Sequence, residues 1–124
     1  LFVPLVEEGL TKGPITKLIV ESYLSHFKNT DIDTLILGCT HYPILTAVIK
    51  DVVGKNISLV DSGKAAAEVV MDVLKENEIL SGEPHGEVHS FITDSKQSFQ
   101  TVITKALTPE FNISIKSINR IDIG

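Results

Sequence analysis

Thr34-Leu35-Ile36-Leu37-Gly38-Cys39-Thr40-His41-Tyr42-Pro43 is the stretch on which the reading of this chain turns. Four residues of strand type end at a glycine, three polar or reactive residues come after it, and a proline stands close behind them. The apolar run predicts a strand buried on both faces. Gly38 to His41 reads as the turn after it. Pro43 suits the start of a helix whose apolar side carries Ile44, Leu45, Val48, Ile49, Val52 and Val53, with Gly54 as its stop.

Working backwards, Asn29 to Asp33 is a polar turn. Ile15, Leu18, Ile19, Tyr23, Leu24 and Phe27 recur at helical spacing behind Gly13-Pro14, which predicts an amphipathic helix with proline in its first turn. Phe2-Val3-Pro4-Leu5-Val6 is short and apolar and reads as an edge strand or extended segment. Working forwards, Ile57 to Val60 reads as a strand and Asp61-Ser62-Gly63 as its turn. Ala65 to Asn77 reads as a helix with Ala66, Val69, Val70, Val73 and Leu74 inward. After a loop from Ser81 to Gly86 come a strand from Val88 to Thr93 and a helix capped by Asp94 or Ser95. That helix runs to Leu107, with Phe99, Val102, Ile103 and Ala106 inward, and Ile113 to Ile118 closes as a strand. Strands alternating with helices make this an α/β chain, with a mainly parallel sheet and flanking helices. Ligands in such folds bind beyond the carboxyl ends of strands, where Gly38 to His41 and Asp61 to Gly63 both lie.

The bulk properties narrow the function. At 124 residues, 43% hydrophobic and 22% charged, the chain suits one ordinary soluble domain. A net charge of −5 with scattered basic residues gives no electrostatic case for nucleic acid. Cys39 is the only cysteine, which excludes an internal disulfide and a zinc site built on several thiols, and fits a reducing cytoplasm. The most apolar stretch, Leu35 to Ile49, is broken by Gly38, Thr40, His41 and Pro43 and is too short for a membrane span. Glu7 and Glu8 stand where a signal peptide would be basic. The chain opens at Leu1 on a segment that already reads as structure, so it is expected to be a piece of something longer.

Cys39 would sit between a buried strand and a helix N-terminus, whose free N–H groups and dipole stabilise a thiolate or hold a carboxylate. A thiolate against an amino acid can remove its α-proton. Thr40 can hydrogen-bond a ligand, and His41 can tune the thiol or carry a proton. A blander reading stands beside this one. A lone cysteine is more often a small buried hydrophobe, Thr40 a cap, and His41 a loop residue. Asp61-Ser62-Gly63 suits a cap and tight turn better than an anion site. Glu7 and Glu8 suit a solvated pair. His85 and His89 are four apart, but Pro84 and Gly86 oppose a helix there and no third ligand is evident, so no metal site is expected.

The string Leu37-Gly38-Cys39-Thr40-His41-Tyr42-Pro43-Ile44-Leu45 resembles the second cysteine motif of glutamate racemases. Phe2-Val3-Pro4-Leu5-Val6-Glu7 resembles a second segment of that family at compatible spacing. Val60-Asp61-Ser62-Gly63 with its alanine-rich helix resembles a third. The resemblance implies two α/β lobes, residues 1–59 belonging to the second lobe and residues 60–124 returning to the first. It implies a cofactor-free reaction in which two cysteines face each other across the α-carbon of glutamate, for peptidoglycan synthesis, in a cytoplasmic dimer. Cys39 would be the second base, acting on L-glutamate. Thr40 and His41 would bind substrate, His41 would assist Cys39, and Glu7 would be an acidic residue of the site. In the related aspartate racemases the residue after Cys-Thr is usually acidic, so His41 favours glutamate.

The family's first cysteine has no counterpart in this sequence, and His41 lies too near Cys39 in the chain to serve the opposite face. One thiol cannot readily invert a stereocentre, so the chain by itself is expected to be inactive. Two other readings stay open. One is a racemase for aspartate or another amino acid; the other is a non-catalytic α/β module that only binds a carboxylate. The apolar faces of such a piece are expected to stand partly uncovered.

Overall fold

Residues 1–82, 86–93, 95–103 and 115–123 are described by the computed structural model. Its centre is a parallel pair, β1 (Thr34–Leu37) and β2 (Ser58–Asp61), in register from Thr34↔Ser58 to Leu37↔Asp61. A parallel pair needs a crossover. Here the crossover is a 3-10 turn, Tyr42–Leu45, running into helix α3, Thr46–Val53. Gly54 ends α3 at φ 96°, a conformation that L side chains rarely adopt, as its sequence position predicted.

Helix α2 (Pro14–Leu24) starts on Pro14, also as predicted, and packs against α3 on one face of the sheet. Between them lie Val20, Leu45, Ile49 and Val52, all fully buried, with Leu37, Val53 and Ile57 at the edge of the same cluster. The buried line of α2 is Thr16 and Val20, whereas Ile15 and Leu18 of the predicted apolar face are 61% and 68% exposed. Thr16 can be buried because its hydroxyl donates to the carbonyls of Leu10 (2.9 Å) and Lys12 (3.2 Å), satisfying it and tying down the preceding loop.

The N-terminal segment corrects an expectation. Phe2–Glu7 is a helix, α1, and not a strand. Phe2, Leu5 and Val6 are its buried residues, and their spacing of three and four is helical. Pro4 falls in the first turn, where an amide N–H has no intrahelical partner to lose. The helix ends in a Schellman motif: Leu10 N–H donates to Leu5 O (2.8 Å), Gly9 N–H donates to Val6 O (2.9 Å), and Gly9 adopts φ 74°.

A second correction concerns the sheet. β1 is covered on one face only: Leu37 is buried while Ile36 is 67% exposed, and its register partner Val60 is exposed too. Helix α4 (Ser62–Glu76) comes directly after β2 and buries none of its residues, so Val69, Val70 and Val73 do not point into a core. This agrees with the expectation of partly uncovered apolar faces. The described strands form two parallel pairs. β3 (Val88–Ile92) pairs with β4 (Ile115–Arg120), and α5 (Lys96–Val102) packs against α1 and β4. Asp94, Ala106, Leu107, Ile113 and His85, all named from the sequence above, lie outside the described residues. No described helix is long and apolar enough to cross a membrane.

Because Ile49 is fully buried and Leu18 is not, Ile49→Ala is expected to lower the unfolding free energy by about 2–5 kcal/mol. Leu18→Ala should change it by no more than about 0.5 kcal/mol. Urea denaturation of the two variants checks the contrast.

Candidate active site

β1 and β2 end side by side at Leu37 and Asp61, so the turns after them sit at the same end of the sheet. After β2, Asp61 caps α4: its Oδ1 accepts from the backbone N–H of Gly63 (2.8 Å) and of Lys64 (3.2 Å). This is the cap that the sequence favoured there. It occupies amides that an anion would otherwise use.

After β1 the chain turns through Gly38, Cys39, Thr40 and His41. The helix N-terminus expected beside Cys39 is corrected in detail. The residues after His41 form the 3-10 turn, whose Tyr42 N–H donates back to Cys39 O at 3.2 Å, and α3 proper begins only at Thr46. The α-helix proper therefore starts seven residues after Cys39, with the 3-10 turn between them. The near neighbour of the thiol is the imidazole of His41.

Three groups converge on that ring. Cys39 Sγ lies 4.0 Å from His41 Nδ1, Thr40 Oγ1 lies 3.3 Å from the same nitrogen, and Glu7 Oε1 lies 3.7 Å from Nε2 on the other side. The side chain of His41 is 26% exposed and that of Glu7 56%, while Cys39 is half-buried. The four candidate residues, more than thirty positions apart at their extremes, thus form one cluster. Glu7 arrives on the last turn of α1. Phe2, on the same helix, packs edge-on against Tyr42 of the motif, with ring centroids 5.4 Å apart.

The cluster borders a cleft of about 570 Å³. Glu7, Thr40, His41 and Ile44 form one side of it. Phe91, Ile92, Thr93, Ser95, Phe99, Val102 and Ile103 form the other. Cys39 is not among its described lining residues and meets it through His41. The second wall was missed from the sequence, where Phe99, Val102 and Ile103 are assigned to a core. Their helical spacing is the same for a core and for an apolar wall. Among the described residues no cluster of three or more potential ligands could hold a metal ion. His89 lies on β3, where its Nδ1 pairs with Ser117 Oγ at 2.9 Å.

Chemically, a thiol and an acceptor nitrogen a short step apart can exchange a proton, and a carboxylate behind the ring steadies the imidazolium that results. A hydroxyl at the mouth can bind an acidic ligand.

No family model matches the chain. It is 43% identical over 101 residues to a glutamate racemase of Chlorobaculum parvum, an alignment that covers 81% of this chain and 37% of that protein. It superposes on the crystal structure of glutamate racemase from Thermus thermophilus in complex with β-chloro-D-alanine with TM-score 0.76 and 30% identity. It also superposes on that from Francisella tularensis in complex with D-glutamate, with TM-score 0.75 and 29% identity. The chain is a homologue of glutamate racemases. The superpositions cover 98% of this chain and 45% and 44% of those two structures. The chain spans about two fifths of the length of the curated racemases it matches. The racemase α/β architecture is therefore shared by nearly the whole of the sequence.

Asp61→Ala is expected to remove about 0.5–2 kcal/mol from α4. Faster amide exchange at Gly63 and Lys64, with loss of helical signal, is the readout.

Proposed function

We propose that the protein to which this chain belongs interconverts L- and D-glutamate by proton transfer at the α-carbon, without a cofactor. Cys39 serves as one base. The observation that carries this reading is the convergence of Cys39, Thr40 and Glu7 on the ring of His41 at the edge of a cleft. The bound D-glutamate of the Francisella tularensis racemase supports the choice of substrate class.

In this reading Cys39 removes or returns the α-proton on one face of the substrate. His41 relays the proton of the thiol, and Glu7 faces the imidazolium so formed. Thr40 and His41 bind the substrate at the mouth of the cleft. Inversion needs a proton delivered from the opposite face, and that calls for a second thiol beyond the one in this sequence. The chain alone is accordingly inactive. The lobe division near Leu59 and Val60 belongs to the same proposal. β2 stays paired with β1 through Asp61, so α4 carries the crossing between lobes. A cytoplasmic dimer supplying D-glutamate for peptidoglycan completes the reading.

In the protein containing this chain, Cys39→Ser is expected to lower racemisation of D-glutamate by at least about 100-fold, the lower end of what a positioned acid–base group contributes. Loss of optical rotation measures it, and unchanged turnover would remove Cys39 from the mechanism. D-aspartate should turn over far more slowly than D-glutamate; the reverse order would mark an aspartate racemase. Glutamate binding with no turnover in either direction would mark a carboxylate-binding module.

A further inference from the structure

The ring of His41 is asked to do two things with one nitrogen. Neutral imidazole has one N–H donor and one lone-pair acceptor. A carboxylate only accepts, so its charge, 3.7 Å from Nε2 and outside hydrogen-bond reach, favours the tautomer with hydrogen on that nitrogen. That leaves a single lone pair on Nδ1, with two donors beside it: the Thr40 hydroxyl at 3.3 Å and the Cys39 thiol at 4.0 Å. The hydroxyl is nearer, and a thiol is the weaker donor. In that tautomer the hydroxyl is the better placed of the two donors for the lone pair.

From this competition we infer that Thr40 is a positioning residue that keeps His41 from accepting the thiol proton until a carboxylate ligand takes the Thr40 hydroxyl. The inference rests on the racemase reading only for the identity of that carboxylate. Thr40 is exposed and lines the cleft, so its hydroxyl meets an entering anion directly. A hydrogen bond from a hydroxyl to a carboxylate is roughly twice as strong as one to a neutral acceptor. The hydroxyl turns to the ligand and Nδ1 is released. The S–H bond of Cys39 then breaks, its proton passes to Nδ1, and the electron pair stays on sulfur. The imidazolium formed has its Nε2–H towards Glu7. The thiolate thus appears when there is a ligand to act on, and a half-buried thiol is spared while the cleft is empty.

Cys39 is the only cysteine of this sequence, so in the protein containing this chain mass spectrometry of the peptide that carries it reads iodoacetamide alkylation of this thiolate apart from any other. Thr40→Val is expected to raise that alkylation rate in the ligand-free protein roughly two- to ten-fold, the factor set by one neutral hydrogen bond. Thr40→Ser, which keeps the hydroxyl, should restore the original rate. In a His41→Asn background the same Thr40→Val change should have no effect, because the nitrogen through which Thr40 acts is gone. Thr40→Ala repeats the comparison with a smaller side chain. An unchanged rate in both hydroxyl-free variants overturns the inference, and so does an equal rise with and without His41, which marks simple unmasking of the thiol. None of these outcomes depends on turnover, so failure here is distinct from failure of the racemase reading, which the Cys39→Ser assay decides.

Discussion

The edge-on packing of Phe2 between two tyrosines is the contact on which the site depends. Its ring meets Tyr23 of α2 at 5.5 Å and Tyr42 of the cysteine turn at 5.4 Å, both close to perpendicular. Aromatic pairs of this geometry add about 0.5–1.5 kcal/mol each beyond the area they bury. The energy is modest, but the geometric consequence is large. α1 has only six residues, so fixing Phe2 at its start also fixes Glu7 at its end. The Schellman turn through Gly9 then leads the chain away without disturbing it. With the buried Leu5 and Val6, this anchor holds α1 where its Glu7 carboxylate lies behind His41.

The same arrangement sets the thiol among side chains and away from the start of α3. The chain leaves β1 through a turn and a 3-10 segment, and that segment uses its first amide on the Cys39 carbonyl. The described side-chain partner of the sulfur is His41, whose two nitrogens face Thr40 and Glu7. A two-residue step places the imidazole of His41 beside Cys39, and a long-range contact places the Glu7 carboxylate behind it.

The packing is one-sided. α2 and α3 cover one face of β1 and β2, while Ile36 and Val60 stand side by side on the other, and the valines of α4 are exposed. These bare apolar residues belong to a chain that superposes on less than half of the solved racemases. The wall of the cleft is mixed, largely polar towards α1 and the cysteine turn and apolar along α5.

Local chemistry made much of this legible in the sequence. Gly13-Pro14 and Gly54 marked helix ends because their backbone requirements are intrinsic to the residues. Asp61 was readable as a cap for the same reason. The cysteine turn was readable because strand, glycine and proline succeed one another within ten positions, and that order alone puts Cys39, Thr40 and His41 at a strand's carboxyl end. Periodicity carried less. The α1 segment is too short for a period of two and one of three-to-four to be told apart without its neighbours. The exposed faces of α2, α4 and β1 could not be ranked, since an apolar side chain has the same pattern whether or not something covers it. Only the tertiary structure decided the meeting of Glu7 with His41, the placement of Phe99, Val102 and Ile103 across a cleft, and which apolar faces are bare. Each is a contact between residues far apart in the chain, and such contacts arise from how elements pack and not from the residues within any one of them.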